Sequence, residues 1–335
     1  MKLRISLTTL FSSIRPRRHN SRPPHRRAPE PQFISYSMKI VAHQRAVRSL
    51  STCSNYLTAL RSFRRFLGGD DIPLRSLSSG HIGRYRQWLH QNGVSPNTTS
   101  CYLRSLRSLY NIAVRRHVVR QCFPFSEVFT GNMDTAKRAA PLSVIRSLRS
   151  LTLPSDSSLR LSLDIFLFSF YAMGMPFADV ARLRRSQIDF SSSSLVYHRQ
   201  KTGCPVTVSL EPCMLDIIRR YSDSSRQYVF PLLPEGASPD VVSRVYNTAL
   251  ASHNRHLKTI ARMAGVTCRL TSYVARHSWA SMAYNIHAPL PLISKAMGHT
   301  NQRTTMVYIK NMDAGAIARI NKKILREISS PSPHV

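Results

Sequence analysis

Hydrophobic positions recur at helical spacing from about residue 38 onward. Tyr56, Leu57, Leu60, Phe63 and Leu67 fall at three- and four-residue steps, and Gly68-Gly69 ends the run. Arg61, Arg64 and Arg65 take the opposite face. The same period predicts a second helix after Ser78-Ser79, with Ile82, Tyr85, Trp88 and Leu89 on its apolar side and a stop at Asn92-Gly93. A third begins at Ser95-Pro96-Asn97, with Asn97 as its expected N-cap, and runs through Tyr102, Leu103, Leu106, Leu109, Tyr110 and Ala113 to Val114. Its polar face carries Arg104, Arg107, Arg115 and Arg116. Ser143 opens a further helix. Residues 159–172 are apolar almost throughout, but too short and interrupted to cross a bilayer, so they read as a buried helix. The period then switches to two. Ile188-Asp189 leads to a strand at Leu195-Val196-Tyr197-His198, a turn at Lys201-Thr202-Gly203, and an alternating strand from Val206 to Leu210. Helices near 212–221 and 241–263 follow. The pattern is that of a mainly α chain with a small β-sheet, an α+β fold.

At 335 residues and 42% hydrophobic content the chain can bury the cores of two domains. Charge narrows the choice of partner. Lys and Arg number 48 against 16 acids, a formal net charge of +32, well beyond what solubility requires. A polyanion is the obvious partner, nucleic acid first, although ribosomal and membrane-surface proteins are basic too. Most of the cations are arginines, which grip phosphate through two parallel N–H bonds. Successive basic helices with almost no balancing acid favour a DNA-facing surface over a merely solvated one. Six scattered cysteines without a Cys-x-x-Cys pair fit a reduced compartment and argue against zinc or a disulfide framework. We expect no metal, no cofactor and no membrane partner.

Residues 1–37 stand apart. Arg15, Arg17, Arg18, Arg22, Arg26 and Arg27 are interleaved with five prolines between 16 and 31, and Glu30 is the lone acid. A disordered basic arm is the favoured reading, ahead of an organelle transit peptide or an arm that wraps DNA. Met38 is an alternative translation start.

The chemistry lies in the last third: Tyr273-Val274-Ala275-Arg276-His277, then Gly298-His299, then Thr304-Thr305-Met306-Val307-Tyr308. A guanidinium, an imidazole and a phenol occur in fixed order within 36 residues. A single tyrosine near a C-terminus is most simply a packing residue. With those partners it suits attack on a phosphodiester, which needs fixed cations to neutralise the transition state and proton donors and acceptors at its two ends. The order and spacing resemble the C-terminal signature of the tyrosine recombinases, or phage-type integrases: His-x-x-Arg, Leu-Gly-His, then a tyrosine nine residues later, as His299 to Tyr308 is here. The likeness covers roughly residues 40–330.

The resemblance implies a helical core-binding domain over 38–122, a linker over 123–142, a catalytic domain over 143–329 and a short tail over 330–335, the two domains forming a C-shaped clamp on DNA. It makes Tyr308 the nucleophile, Arg276 the phosphate clamp, His299 a hydrogen-bond donor to phosphate, and Lys201, beside the hairpin turn, the general acid. Tyr273 stands where the family's first histidine usually does. His277 reads as a supporting partner, and Asp179 as an N-cap or supporting acid rather than a base. Arg61, Arg64, Arg65, Arg104 and Arg107 are the expected DNA contacts. The implied assembly is a homotetramer on two synapsed double-stranded DNA sites, one dimer per site, with DNA-bending or directionality factors as candidate helpers. The amphipathic segment 315–328 is expected to pack on a neighbouring subunit.

One departure stands out. The family's first arginine belongs in the segment that here reads Met173-Gly174-Met175-Pro176. Arg182, Arg184, Arg185 and Arg269 are candidate substitutes. The absence keeps two further readings open: a non-catalytic DNA-binding regulator derived from a recombinase, and an enzyme like the type IB topoisomerases.

Overall fold

The computed structural model describes residues 30–44, 50–133, 139–223 and 225–309, without the side chains of residues 303 and 307–309. The arm up to residue 29, the segment 315–328 and the tail over 330–335 lie outside the described residues. The chain divides into two compact units, one up to Asp134 and one from Thr135.

The first unit contains helices α1 (Phe33–Gln44), α2 (Leu50–Phe66), α3 (Ser79–Gln91) and α4 (Pro96–Arg115). Helix α2 packs on α1 and α4. Aromatic rings at helical spacing form the middle of the core. Phe63 meets Phe33 and Tyr85 edge to face, with centroids 5.9 and 5.0 Å apart. The Tyr85 hydroxyl, taken out of water, donates to Ser62 Oγ at 2.8 Å.

Three expectations are corrected here. The basic arm was expected to reach residue 37, but α1 starts at Phe33, and Phe33, Ile34 and Ser37 are buried. The Asp71 carboxylate holds this helix start by accepting from the N–H groups of Ile34 (2.7 Å) and Ser35 (2.8 Å), orphan donors of a first turn. The N-cap of α4 is Ser95, whose Oγ accepts from Thr98 N–H, and not Asn97. Pro96 explains the shift, because proline fits the first helical position and leaves the residue before it, Ser95, as the cap. Asn97 instead pairs with the backbone of Met133, donating to its carbonyl at 3.1 Å and accepting from its N–H at 2.8 Å. The expected linker over 123–142 is partly core: Phe125 and Val128 are buried in the first unit and Ala140 in the second.

The second unit is built around α6 (Ser158–Tyr171), which packs on α5 (Leu142–Ser150), α7 (Phe177–Val180), α8 (Pro212–Arg220), α9 (Pro239–Met263) and α10 (Ser272–Asn285). Asp164 of α6, fully buried, is neutralised by Arg160 and Arg220 and accepts from the Tyr221 hydroxyl at 2.8 Å. An antiparallel sheet of β1 (Ile188–Asp189), β2 (Ser194–His198) and β3 (Pro205–Ser209) lies in that order. Leu195 opposes Val208 and Tyr197 opposes Val206, and all four face the core, as the alternation predicts. Helices α11 (Leu290–Ala296) and α12 (Gln302–Ile309) complete the unit. No helix among the described residues is long and apolar enough to cross a membrane.

Candidate active site

Arg276 sits in the second turn of α10 and is only 1% exposed. A buried guanidinium needs acceptors for its donors, and here both terminal nitrogens have defined ones. Nη1 donates to the Gly174 carbonyl at 2.8 Å, and Nη2 to the Met297 carbonyl at 2.7 Å and to His299 Nε2 at 2.7 Å. Gly174 has φ +71°, and a Cβ on it would stand 2.8 Å from Arg276 Cα. Only glycine turns the chain this way and brings its carbonyl so close. The turn that lacks the family's arginine is therefore the turn that orients Arg276.

A guanidinium can only donate, so His299 Nε2 is an acceptor and the neutral ring carries its proton on Nδ1, which donates to Thr305 Oγ1 at 2.8 Å. Burial, and then the charges of Arg276, Arg199 and Lys201, push the His299 pKa down to about 4. In this geometry His299 supports the arginine; the expected hydrogen bond to phosphate would require the Nε2 that Arg276 occupies. Thr305, fully buried, ties α12 to the imidazole. Tyr308 lies three residues further along α12, and its side chain is outside the described residues.

The β2–β3 turn docks on the loop before His299. Thr202 Oγ1 donates to the Gly298 carbonyl at 3.3 Å. A Cβ at Gly298 would stand 2.7 Å from Arg199 Cγ and 2.8 Å from Val206 Cγ2. Lys201 is exposed on this turn, close enough to His299 for its charge to depress the imidazole. Asp179 is no N-cap: it lies within α7, 6% exposed, and locks the turn. Its Oδ1 accepts from Gln200 N–H at 2.8 Å, and its Oδ2 faces Arg199 Nε at 2.8 Å. Burial pushes its carboxyl up, opposed by the Gln200 N–H and by Arg199 and Arg276. Tyr273 and His277, one turn apart on α10, meet ring to ring with centroids 5.2 Å apart.

Two of the four candidate substitute arginines are engaged elsewhere. Arg182 donates to the Ala178 carbonyl and lies 4.7 Å over the Tyr246 ring. Arg185 donates to the Tyr221 carbonyl. Arg184 and Arg269 are exposed. Arg199 was not singled out from the sequence, yet it is 7% exposed and donates through Nη1 to the same Met297 carbonyl that Arg276 uses. A signal was present. Arg199, directly after β2, continues the inward register of Leu195 and Tyr197, where a cation is out of place.

In the first unit, Arg61, Arg64 and Arg65 are exposed and line one shallow depression with Thr58, Gly68 and Gly69. Arg107 is also exposed. Arg104 departs from expectation, because its guanidinium clasps the carbonyls of Thr130 (2.9 Å) and Gly131 (2.8 Å) and Asn132 Oδ1 (3.0 Å). It closes a loop and is not held out towards solvent.

The description "Phage integrase family" fits residues 147–314, and "Phage integrase SAM-like domain" fits residues 32–128. The chain belongs to the phage integrase family. Among tyrosine recombinases, it is 26% identical to XerC of Halalkalibacterium halodurans over 267 residues, 77% of this chain and 86% of that one. It is 23% identical to XerD of Shewanella oneidensis over 262 residues, 77% and 85%. Its fold matches the Tn1549 transposon integrase solved with circular intermediate DNA (TM-score 0.63, 15% identity, 87% of this chain and 99% of that chain). It also matches a lambda integrase dimer bound to a core site (TM-score 0.61, 13% identity, 83% and 95%). The family's SAM-like domain starts six residues before the expected boundary at 38, one residue before α1.

Proposed function

We propose that this tyrosine recombinase cuts and rejoins double-stranded DNA at defined sites through a covalent bond to Tyr308. The observation that supports the reading is the hydrogen-bonded chain from Gly174 through Arg276 and His299 to Thr305, because it ties a buried guanidinium to a residue three positions before Tyr308 on α12. As Tyr308 Oη bonds to phosphorus, the phenol proton leaves to water or a neighbouring base. The bond from phosphorus to the 5′ oxygen breaks with its electron pair on that oxygen, which takes a proton from Lys201. A 3′-phosphotyrosine and a 5′-hydroxyl result, and attack by another strand's hydroxyl reverses the step without ATP. Arg276 neutralises charge on the nonbridging oxygens, and His299 keeps its fork aligned.

Arg61, Arg64, Arg65 and Arg107 bind the DNA backbone. One related structure is a lambda integrase tetramer on a Holliday junction. By likeness, the working assembly here is four copies on two synapsed sites, a dimer on each, with bending or directionality factors as helpers. Nicked DNA carrying the recombination site, which loses the short fragment bearing the free 5′-hydroxyl after cleavage, tests the reading. Wild-type protein should form a covalent band and Tyr308→Phe none. Site-specific binding with no band from either protein would sink it.

A further inference from the structure

The transition state of phosphodiester attack carries more negative charge on the nonbridging oxygens than the ground state, so a site without metal needs fixed cations aimed at both. Arg276 is one. Arg199 is a second buried guanidinium beside it. Both donate to the single carbonyl of Met297, and two donors on one acceptor lie within about 6 Å of each other. One carboxylate, Asp179, pairs with Arg199 and also feels the charge of Arg276, and His299 is neutral. Two cations against one anion leave the cluster one positive charge in excess. Burying like charges together is costly unless an anion completes the set. A purely structural role would be served at lower cost by an apolar side chain continuing the inward row of Leu195 and Tyr197.

The guanidinium is also oriented. Asp179 faces Nε and the Met297 carbonyl takes Nη1, while Nη2 bonds no described residue. Arg199 stands two residues before Lys201, so the turn that carries the proton donor carries this cation as well. We propose that Arg199 is the second phosphate-binding cation of the site, meeting a nonbridging oxygen of the scissile phosphate through Nη2 beside Arg276. The proposal rests on the recombinase reading above. It explains how the site works although Met173-Gly174-Met175-Pro176 supplies no arginine.

The test uses full-length protein on two nicked substrates, one with the ordinary scissile phosphate and one with an uncharged methylphosphonate there. Arg199→Ala and Arg199→Gln should lose roughly 10²- to 10³-fold in single-turnover cleavage of the phosphate substrate, the cost of removing one such donor. Arg199→Lys should recover part of it. On the methylphosphonate, where the charge to be neutralised is gone, the same variants should cleave within a few-fold of wild type. Equal losses on both substrates, or no loss on either, would overturn the proposal and leave Arg199 a packing residue. Should Arg199→Ala melt early, Arg199→Gln against Arg199→Lys decides, since glutamine can still donate to Met297. Wild-type protein that forms no adduct at all defeats the recombinase reading, and the role of Arg199 with it.

Discussion

The same residue type does two kinds of work in the two units. In the first, Arg61, Arg64 and Arg65 stand in solvent on one face of α2. Their charges are screened by salt and spread over flexible side chains, so they favour any polyanion without fixing its atoms. In the second, Arg276 and Arg199 are buried, and acceptors set their planes. Charge out of water acts at greater strength and needs no reorganisation as the reaction proceeds. The difference shows that +32 of formal charge is not one property. On the proposed reading, exposed cations supply affinity, and buried, oriented ones supply rate.

The sharpest way to break this contrast is Arg276→Ala. We expect single-turnover cleavage to fall by about 10³-fold or more, with DNA affinity within a few-fold of wild type. A matching loss of affinity would merge the two classes. Gly174→Ala should come next: its left-handed backbone and the 2.8 Å approach to Arg276 Cα should cost about 1–3 kcal/mol and lower cleavage by disturbing the arginine, seen as a lower melting temperature and a lower rate at saturating DNA. Replacing Arg61, Arg64 and Arg65 together with alanine should do the reverse. The slope of log affinity against log salt should flatten by up to about 3, and cleavage at saturating DNA should stay near wild type. Arg104→Ala, which lets go of the 130–132 loop, should cost stability by about 1–3 kcal/mol in denaturant titration without changing that slope.

The smallest effect is one of pH. Burial, then the nearby charge of His256, pushes the His253 pKa down to about 3, and its ring stacks on Phe177 with centroids 4.8 Å apart. Unfolded, it would take up a proton near pH 6.5. Between those values the unfolded chain binds a proton that the native chain refuses, so stability is full above about pH 6.5 and falls as pH drops. His299 acts in the same direction towards about 4. In His253→Phe the loss on acidification should be gentler by up to about 1.4 kcal/mol per pH unit, read from denaturant midpoints. An unchanged pH profile would show that His253 titrates normally.

Much of the fold was legible because periodicity reports burial directly. Tyr56 to Phe63 and Ile82 to Leu89 announced their helices, and Leu195, Tyr197, Val206 and Val208 their hairpin. Helix α1 was obscured because its apolar positions, Phe33, Ile34, Ile40 and Val41, follow a run of prolines and arginines that reads as an arm. Its start depends on Asp71, a partner 37 residues away from Ile34. Arg104 was misread for a similar reason. Helical period places it on the polar face, and only tertiary structure folds the 130–132 loop over it. At the site, spacing brought Arg276, His299 and Tyr308 to notice, but it could not show which atoms each would bond. The Gly174 carbonyl and the Asp179–Arg199 pair are contacts across long sequence separations, and the Thr305 hydroxyl, six residues from His299, meets it only because the chain turns into α12. Of these, Arg199 alone left a mark in the sequence, as a cation continuing the inward register just past β2.

The most direct measurement is the position of the covalent link. Protein trapped on nicked DNA would be digested and the nucleotide-bearing peptide sequenced by tandem mass spectrometry. We expect the nucleotide on Tyr308, joined through its 3′ phosphate. Attachment to Tyr273 or any other residue, or a link through a 5′ phosphate, would contradict the assignment of α12 as the nucleophile's helix and of the Arg276–His299–Thr305 chain as the device that serves it.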